Sequence, residues 1–145
     1  MSKVEDFLTQ QEEDEVVAAI RKAELKTSGE IRVHLERECK GDIWKRAMEV
    51  FHLLKMDNTK QDNGVLIYVA IDDHKFIIYG DKGINAVVPQ DFWETTKDAI
   101  AAQFRQGNFK QGLIDGILRA GRELREHFPW DEGDVNELSD EISKK

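Results

Sequence analysis

A chain of 145 residues, 40% hydrophobic and 34% charged, is long enough to bury one core without covalent staples and reads as one globular domain. Its net charge of −8, half of it in the tail after Pro129, and the lack of any Lys/Arg stripe argue against nucleic acid or an anionic membrane surface as partners and favour cations. With no membrane-span run, no apolar leader core at Met1–Asp6 and a single cysteine, Cys39, a cytoplasmic, reducing location without an internal disulfide is expected.

Residues 1–9 read as an N-terminal arm, whose Val4, Phe7 and Leu8 are placed to staple the first helix to the core. Thr9 and Glu12 have the spacing of a capping box, in which hydroxyl and carboxylate satisfy each other's backbone donors. A helix is therefore expected from Gln10 to Lys26, with Val16, Val17, Ile20 and Ala23 on one stripe. From Glu30 to Glu36, Ile31, Val33 and Leu35 alternate with polar residues. That is the pattern of a strand with one covered face, and it puts His34 on the wetter side.

Asp42 is a good N-cap for a second helix, expected over Ile43–Lys55. Gly64–Ala70 is seven uncharged residues rich in Val, Ile and Tyr, a strand covered on both faces. Asp72 to Lys75 turn the chain into a return strand around Phe76–Tyr79. Ile84–Val88 reads as a short edge strand or packed loop. Helices are expected over Phe92–Arg105 and Phe109–Phe128, the latter with Gly116 and Gly121 where another helix must come close. Pro129 stops it, Trp130 is placed to fold back on the core, and residues 131–145 have the composition of a disordered acidic tail.

Strand, helix and strand in sequence form a parallel βαβ unit, to which the hairpin adds an antiparallel strand. The expected fold is α/β: a three-layer α/β/α sandwich with a small mixed sheet and about four flanking helices, over residues 10–130.

Several chemistries are poorly served. There is no P-loop, no serine sits in a nucleophile elbow, and His34, His52, His74 and His127 lack zinc-type spacing. What remains is carboxylate chemistry. Ligand sites of open α/β sheets lie beyond the C-terminal ends of parallel strands. Those ends present Glu36, Glu38, Asp42, Asp72 and Asp73, a metal set suited to hard cations such as Ca2+ or Mg2+. The opposite end gathers a rival set, Glu30, Asp62, Asn63 and Asp81, and periodicity does not choose between them.

Thr27–Val33, Asp62-Asn63-Gly64, Asp72-Asp73, Gly80-Asp81-Lys82-Gly83 and Phe104–Leu113 together resemble the TPM domain family, over about residues 10–129. That family includes a thylakoid-lumen protein implicated in photosystem II repair and many bacterial proteins, and the chain resembles a stand-alone member of the bacterial type. The resemblance implies an α/β/α sandwich, divalent-cation binding and, for some members, phosphatase activity. It carries over Asp62-Asn63-Gly64 and Gly80-x-x-Gly83 as motif positions and assigns no catalytic residue. Many members have a leader and a trailing transmembrane helix; neither is read here.

The expectation is a domain that binds Ca2+ or Mg2+ through loop carboxylates and serves as a scaffold or regulatory module. The alternative is a metal-assisted phosphatase acting on phosphomonoesters. There the cation would polarise a phosphoryl oxygen, Asp72 or Asp73 would attack or activate water, and Arg37, Lys40 and Lys75 would meet the phosphate charge. The acidic tail would suit a basic protein partner.

Overall fold

The computed structural model describes residues 7–129 and 142–144. Helix α1 spans Gln10–Glu24, strand β1 Glu30–Glu36, helix α2 Ile43–Leu53 and strand β2 Gly64–Ala70. Strand β3 follows at Lys75–Gly80, the one-turn helix α3 at Lys82–Asn85, and helices α4 and α5 at Phe92–Arg105 and Phe109–His127. A two-residue strand β4, Ser143–Lys144, completes a sheet of order β3-β2-β1-β4.

β1 and β2 are parallel from Glu30 opposite Gly64 to Glu36 opposite Ala70. β2 and β3 are antiparallel from Val65 opposite Gly80 to Ala70 opposite Lys75. Pleating sends alternate residues to opposite faces, and here both faces are covered. Val65, Ile67 and Val69 join Ile31, Val33 and Leu35 in a core closed by α1 and α5. Leu66, Tyr68 and Ala70 meet Ala47, Val50 and Phe51 of α2 on the other side. The three layers are those expected.

The capping box at the start of α1 is formed. The Glu12 amide donates to Thr9 Oγ1 at 3.1 Å, and the Thr9 amide donates to Glu12 Oε1 at 2.9 Å. Thr9→Ala is expected to lower stability by about 1 kcal/mol, the usual worth of a hydroxyl cap, read from a denaturant midpoint at unchanged slope. The helix ends two residues before Lys26, which holds a left-handed backbone at φ 66°. α2 likewise stops at Leu53, and Lys55, at φ 60°, leads into a 3-10 turn over Met56–Asn58.

Small residues set the helix spacing. A Cβ on Gly116 would lie 2.5 Å from Ile100 Cδ1, and one on Gly121 would lie 2.6 Å from Ala23 Cβ. Both glycines sit where helices touch, as their cost in a helix interior led one to expect. Phe7 and Leu8 do join the core, Leu8 at 3% exposure; Val4 and Trp130 lie outside the described residues.

Three local expectations change. Ile84–Val88 is neither an edge strand nor a simple loop. Its start belongs to α3, capped when Asp81 Oδ1 accepts from the Lys82 amide at 2.8 Å. His34 is not on a wet face: it is 5% exposed, because α2 and Tyr68 cover that side of β1. Residues 142–144 depart from the disorder expected of the tail, for which residues 131–141 and 145 lie outside the described part. Ser143 and Lys144 pair in parallel with His34 and Leu35. Side chains hold them there: Ser143 Oγ is 2.9 Å from His34 Nδ1, and Lys144 Nζ donates to Glu13 Oε2 at 2.9 Å.

Candidate functional site

The carboxylates nominated by sequence fall at the two ends of the sheet, and their surroundings differ. At the C-terminal end of β1, Glu36 is buried. It accepts from the Arg46 guanidinium, whose Nε lies 3.0 Å from Oε2 and whose Nη2 contacts Oε1. The Tyr68 hydroxyl donates to Oε2, and His34 Nε2 is 3.1 Å from Oε1. Burial pushes the Glu36 carboxyl up, but the hydrogen bonds from Arg46, Tyr68 and His34 prevail and bring it down to about 2. Burial, then the adjoining carboxylate, drive the Tyr68 hydroxyl far above the ordinary range. Glu36 is thus an anion at neutral pH, inside its own cage of donors.

The neighbouring residues of that set are also engaged. Asp42 Oδ1 caps α2, accepting from the Trp44 amide at 2.8 Å. Asp72 pairs with Arg37 at 3.0 Å. Asp73 accepts from the Cys39 amide at 2.7 Å, and Glu38 stands 3.8 Å from Lys40. Asp72 and Asp73 therefore pin the loop after β1 to the hairpin loop.

At the opposite end, the sheet register aligns the rival set. Glu30 faces Gly64 across the β1–β2 pair, its amide 3.5 Å from the Asn63 carbonyl. On the other side the Asp81 amide donates to the Gly64 carbonyl at 2.9 Å. Glu30, Asn63 and Asp81 thus stand at the ends of three adjacent strands.

The loop that presents Asp62 is fixed from below. Asp62 has a left-handed backbone at φ 54°, and its carbonyl accepts from the Gly83 amide at 2.8 Å and the Ile84 amide at 3.3 Å. The Asn63 amide donates to Thr59 Oγ1, and its side-chain Nδ2 donates to Ser28 Oγ, both at 3.2 Å.

Two oxygens here are left over. Asn63 is 1% exposed, yet among the described residues its Oδ1 accepts no hydrogen bond, and neither does the buried Oδ2 of Asp81. A buried amide oxygen without a donor costs about 1–3 kcal/mol, so its retention calls for a reason. Lys82 Nζ lies 3.7 Å from Asp62 Oδ2, beside this cluster.

The motif Thr27–Glu30 belongs to the same end. The Thr27 hydroxyl donates to the Leu124 carbonyl at 2.9 Å, tying the strand entry to α5. Gly29 leaves the room that Leu124 fills, for a Cβ there would lie 2.5 Å from Leu124 Cδ2. Sequence reasoning missed Arg46 and Tyr68 around Glu36, Ser143 on His34, and Ser28 beside Asn63. Tyr68 alone had a signal, since it stands opposite His34 in the register and must share its face.

Among the described residues, neither nominated set brings three Asp, Glu or His ligand atoms within 4.8 Å of one another. Glu123, Glu126 and His127 do so, on the last turn of α5, with Glu126 and His127 exposed. No other observation at that turn points to an ion.

The family model of the TPM domain matches residues 1–123. The chain belongs to the TPM domain family. This TPM domain is similar along its full length to the BA42 protein of the psychrophilic bacterium Bizionia argentinensis, known from an NMR structure. The two are 63% identical, each is covered completely, and the TM-score is 0.90. Two more distant solution structures share the fold alone. The N-terminal domain of a P. gingivalis protein is 20% identical over 86% of this chain and 83% of its own, with a TM-score of 0.70. The N-terminal domain of the cg2496 protein of Corynebacterium glutamicum is 12% identical over 81% and 74%, with a TM-score of 0.64. No curated protein matches the chain. Among the described residues, no helix of this TPM domain is long and apolar enough to cross a membrane.

Proposed function

We propose that this TPM domain binds a divalent cation, Ca2+ or Mg2+, at the end of the sheet where Asp62, Asn63 and Asp81 meet, and that it acts as a cation-dependent scaffold or regulatory module. The observation that carries this reading is the buried Asn63 Oδ1 without a donor among the described residues, at the same end of the sheet as an Asp81 Oδ2 in the same condition. Hard cations take neutral amide and anionic carboxylate oxygens together, and each of these oxygens is of a type that such a cation accepts. Asp62 and the buried Glu30 add negative charge at the same strand ends.

The other end fits a cation less well, because Glu36, Asp42, Asp72 and Asp73 already accept from protein donors. The same engagement disfavours hydrolysis: the carboxylates that would attack or activate water, Asp72 and Asp73, hold Arg37 and the Cys39 amide instead.

The test is a Ca2+ and a Mg2+ titration of the 15N-labelled chain. Saturable shifts are expected at the amides of Asn63, Gly64, Asp81 and Lys82, with half-saturation below about 1 mM. Asp62→Asn with Asp81→Asn should weaken binding by roughly tenfold or more, since ligand charge sets affinity at such sites. Asp72→Asn with Asp73→Asn should leave it unchanged. Shifts confined to Glu36–Asp42 and Asp72–Asp73 would move the site to the other end, and the absence of saturation would end the cation reading.

A further inference from the structure

Where β2 ends, a cleft of about 860 Å³ opens between the hairpin loop and the turn joining α4 to α5. Small-molecule sites occupy roughly 300–1,000 Å³, and in open α/β sheets they form beyond the C-terminal ends of parallel strands. This cleft meets both conditions. It stands at the end of the sheet remote from Asn63, roughly 20 Å away along seven residues of strand.

Its floor is aromatic. The Phe7 and Phe109 rings are 4.5 Å apart between centroids, and Phe104 meets Phe109 edge-on at 5.5 Å. Gly107, at φ 79°, makes the turn that brings Phe104 and Phe109 together. A Cβ on Gly112 would lie 2.6 Å from Phe104 Cε1, so a glycine there lets the ring lie flat against α5. The three rings are only half-buried and leave an apolar wall facing water. A wall of this kind in a folded protein marks a binding surface.

The rim has the opposite character. His74, Lys75 and Arg105 line the cleft and are exposed, and among the described residues none of their side chains has a hydrogen bond or ion pair. Asp72, the acidic residue of the lining, is neutralised by Arg37 at 3.0 Å. In a chain of net charge −8 this is a local reversal of sign. His74 is also held in the left-handed region at φ 53°, a conformation that costs a β-carbon residue energy and recurs at ligand sites.

We propose that this cleft binds an organic monoanion with a flat apolar body, an aromatic carboxylate. The body would lie on Phe104 and Phe109, and the carboxylate would meet the planar fork of Arg105 with Lys75 beside it. Guanidinium and carboxylate match in two parallel hydrogen bonds, which fixes orientation as well as charge.

The probe is 2-naphthoate, titrated into the 15N-labelled chain, with 2-naphthalenemethanol as its neutral counterpart. Naphthoate should give saturable shifts at the amides of Ile71, His74, Lys75 and Gly107, and the alcohol should bind roughly fivefold or more weakly. Arg105→Gln should weaken naphthoate by roughly tenfold and leave the alcohol unchanged. Among the described residues the Arg105 side chain has no hydrogen bond or ion pair, so this variant should keep the parent spectrum elsewhere. Equal affinity for acid and alcohol, an unaltered naphthoate affinity in Arg105→Gln, or shifts that stay linear to about 10 mM would each overturn the proposal.

Discussion

Replacing Arg46 with methionine should destabilise the domain by about 3–5 kcal/mol at neutral pH, the scale of a buried charge that loses its partner. Glu36 would keep only Tyr68 and His34 as donors, in a site where its side chain is 7% exposed. With its carboxyl held at about 2 in the fold against 4.5 as a free side chain, Glu36 contributes about 3 kcal/mol. The sign follows from the direction of that shift. A lowered carboxyl stabilises fully above about 4.5, and the contribution fades as pH falls towards 2.

Without Arg46, only the Tyr68 and His34 hydrogen bonds would oppose burial among the described residues, and the carboxyl would rise from about 2. The deficit of Arg46→Met should therefore be largest at pH 7 and shrink on acidification below about 4.5. Thermal melts at the two pH values read this as a drop of roughly 10 °C at neutral pH that narrows in acid. Adding Glu36→Gln to Arg46→Met should recover part of the loss, because the buried charge goes with its partner. A deficit independent of pH would mean that Arg46 acts by packing alone.

Gly83→Ala should cost about 2–4 kcal/mol and weaken cation binding with it. A Cβ at this position would lie 2.2 Å from the Gln61 carbonyl oxygen and 2.5 Å from that of Asp62. Both obstacles are backbone, so relief requires moving the turn that presents Asp62 and Asn63. That turn has little slack, since the amides of Gly83 and Ile84 both donate to the Asp62 carbonyl. Gly116→Ala is the matching control. Its Cβ would approach Ile100 Cδ1 as closely, at 2.5 Å, but a side-chain tip can rotate away, and about 1 kcal/mol is expected. Denaturant titration of the two variants decides the point. Equal costs would show that the Asp62 turn yields easily.

These two glycines also show what a sequence carries. Gly116 announced itself, because a glycine inside an amphipathic helix asks for a close neighbour. The capping box at Thr9 and Glu12, the uncharged run Gly64–Ala70 and the stop at Gly107 were equally legible, as each depends on residues within a few positions of one another. The core strands and four longer helices accordingly lie within two residues of their expected bounds.

What escaped were pairings across long separations. Arg46 comes from ten residues away to Glu36 and Tyr68 from 32, while Ser143 reaches His34 from 109. Alternation along β1 correctly placed His34, Arg32 and Glu36 on one face but took polarity for exposure. Around His34 and Glu36 that face is polar and buried, because the two side chains pair with each other and Glu36 with Arg46 of α2. The same limit applied to the two carboxylate ends. A composition of aspartates reads alike whether each oxygen has a donor or lacks one, and among the described residues the buried Asn63 Oδ1 and Asp81 Oδ2 have none.

The parallel addition of β4 to β1 has a practical consequence for handling the protein. At Ser143–Lys144 the chain runs in the same direction as His34–Leu35, toward Glu36 and away from Glu30. A biosensor surface or fluorophore attached at Lys144 would approach the molecule from the Glu36 end and leave Asp62, Asn63 and Asp81 facing free solution. Force applied through such an anchor would first load the Lys144–Glu13 ion pair and the short β4 ladder, so that this strap shears before the β1–β2 pair bears tension.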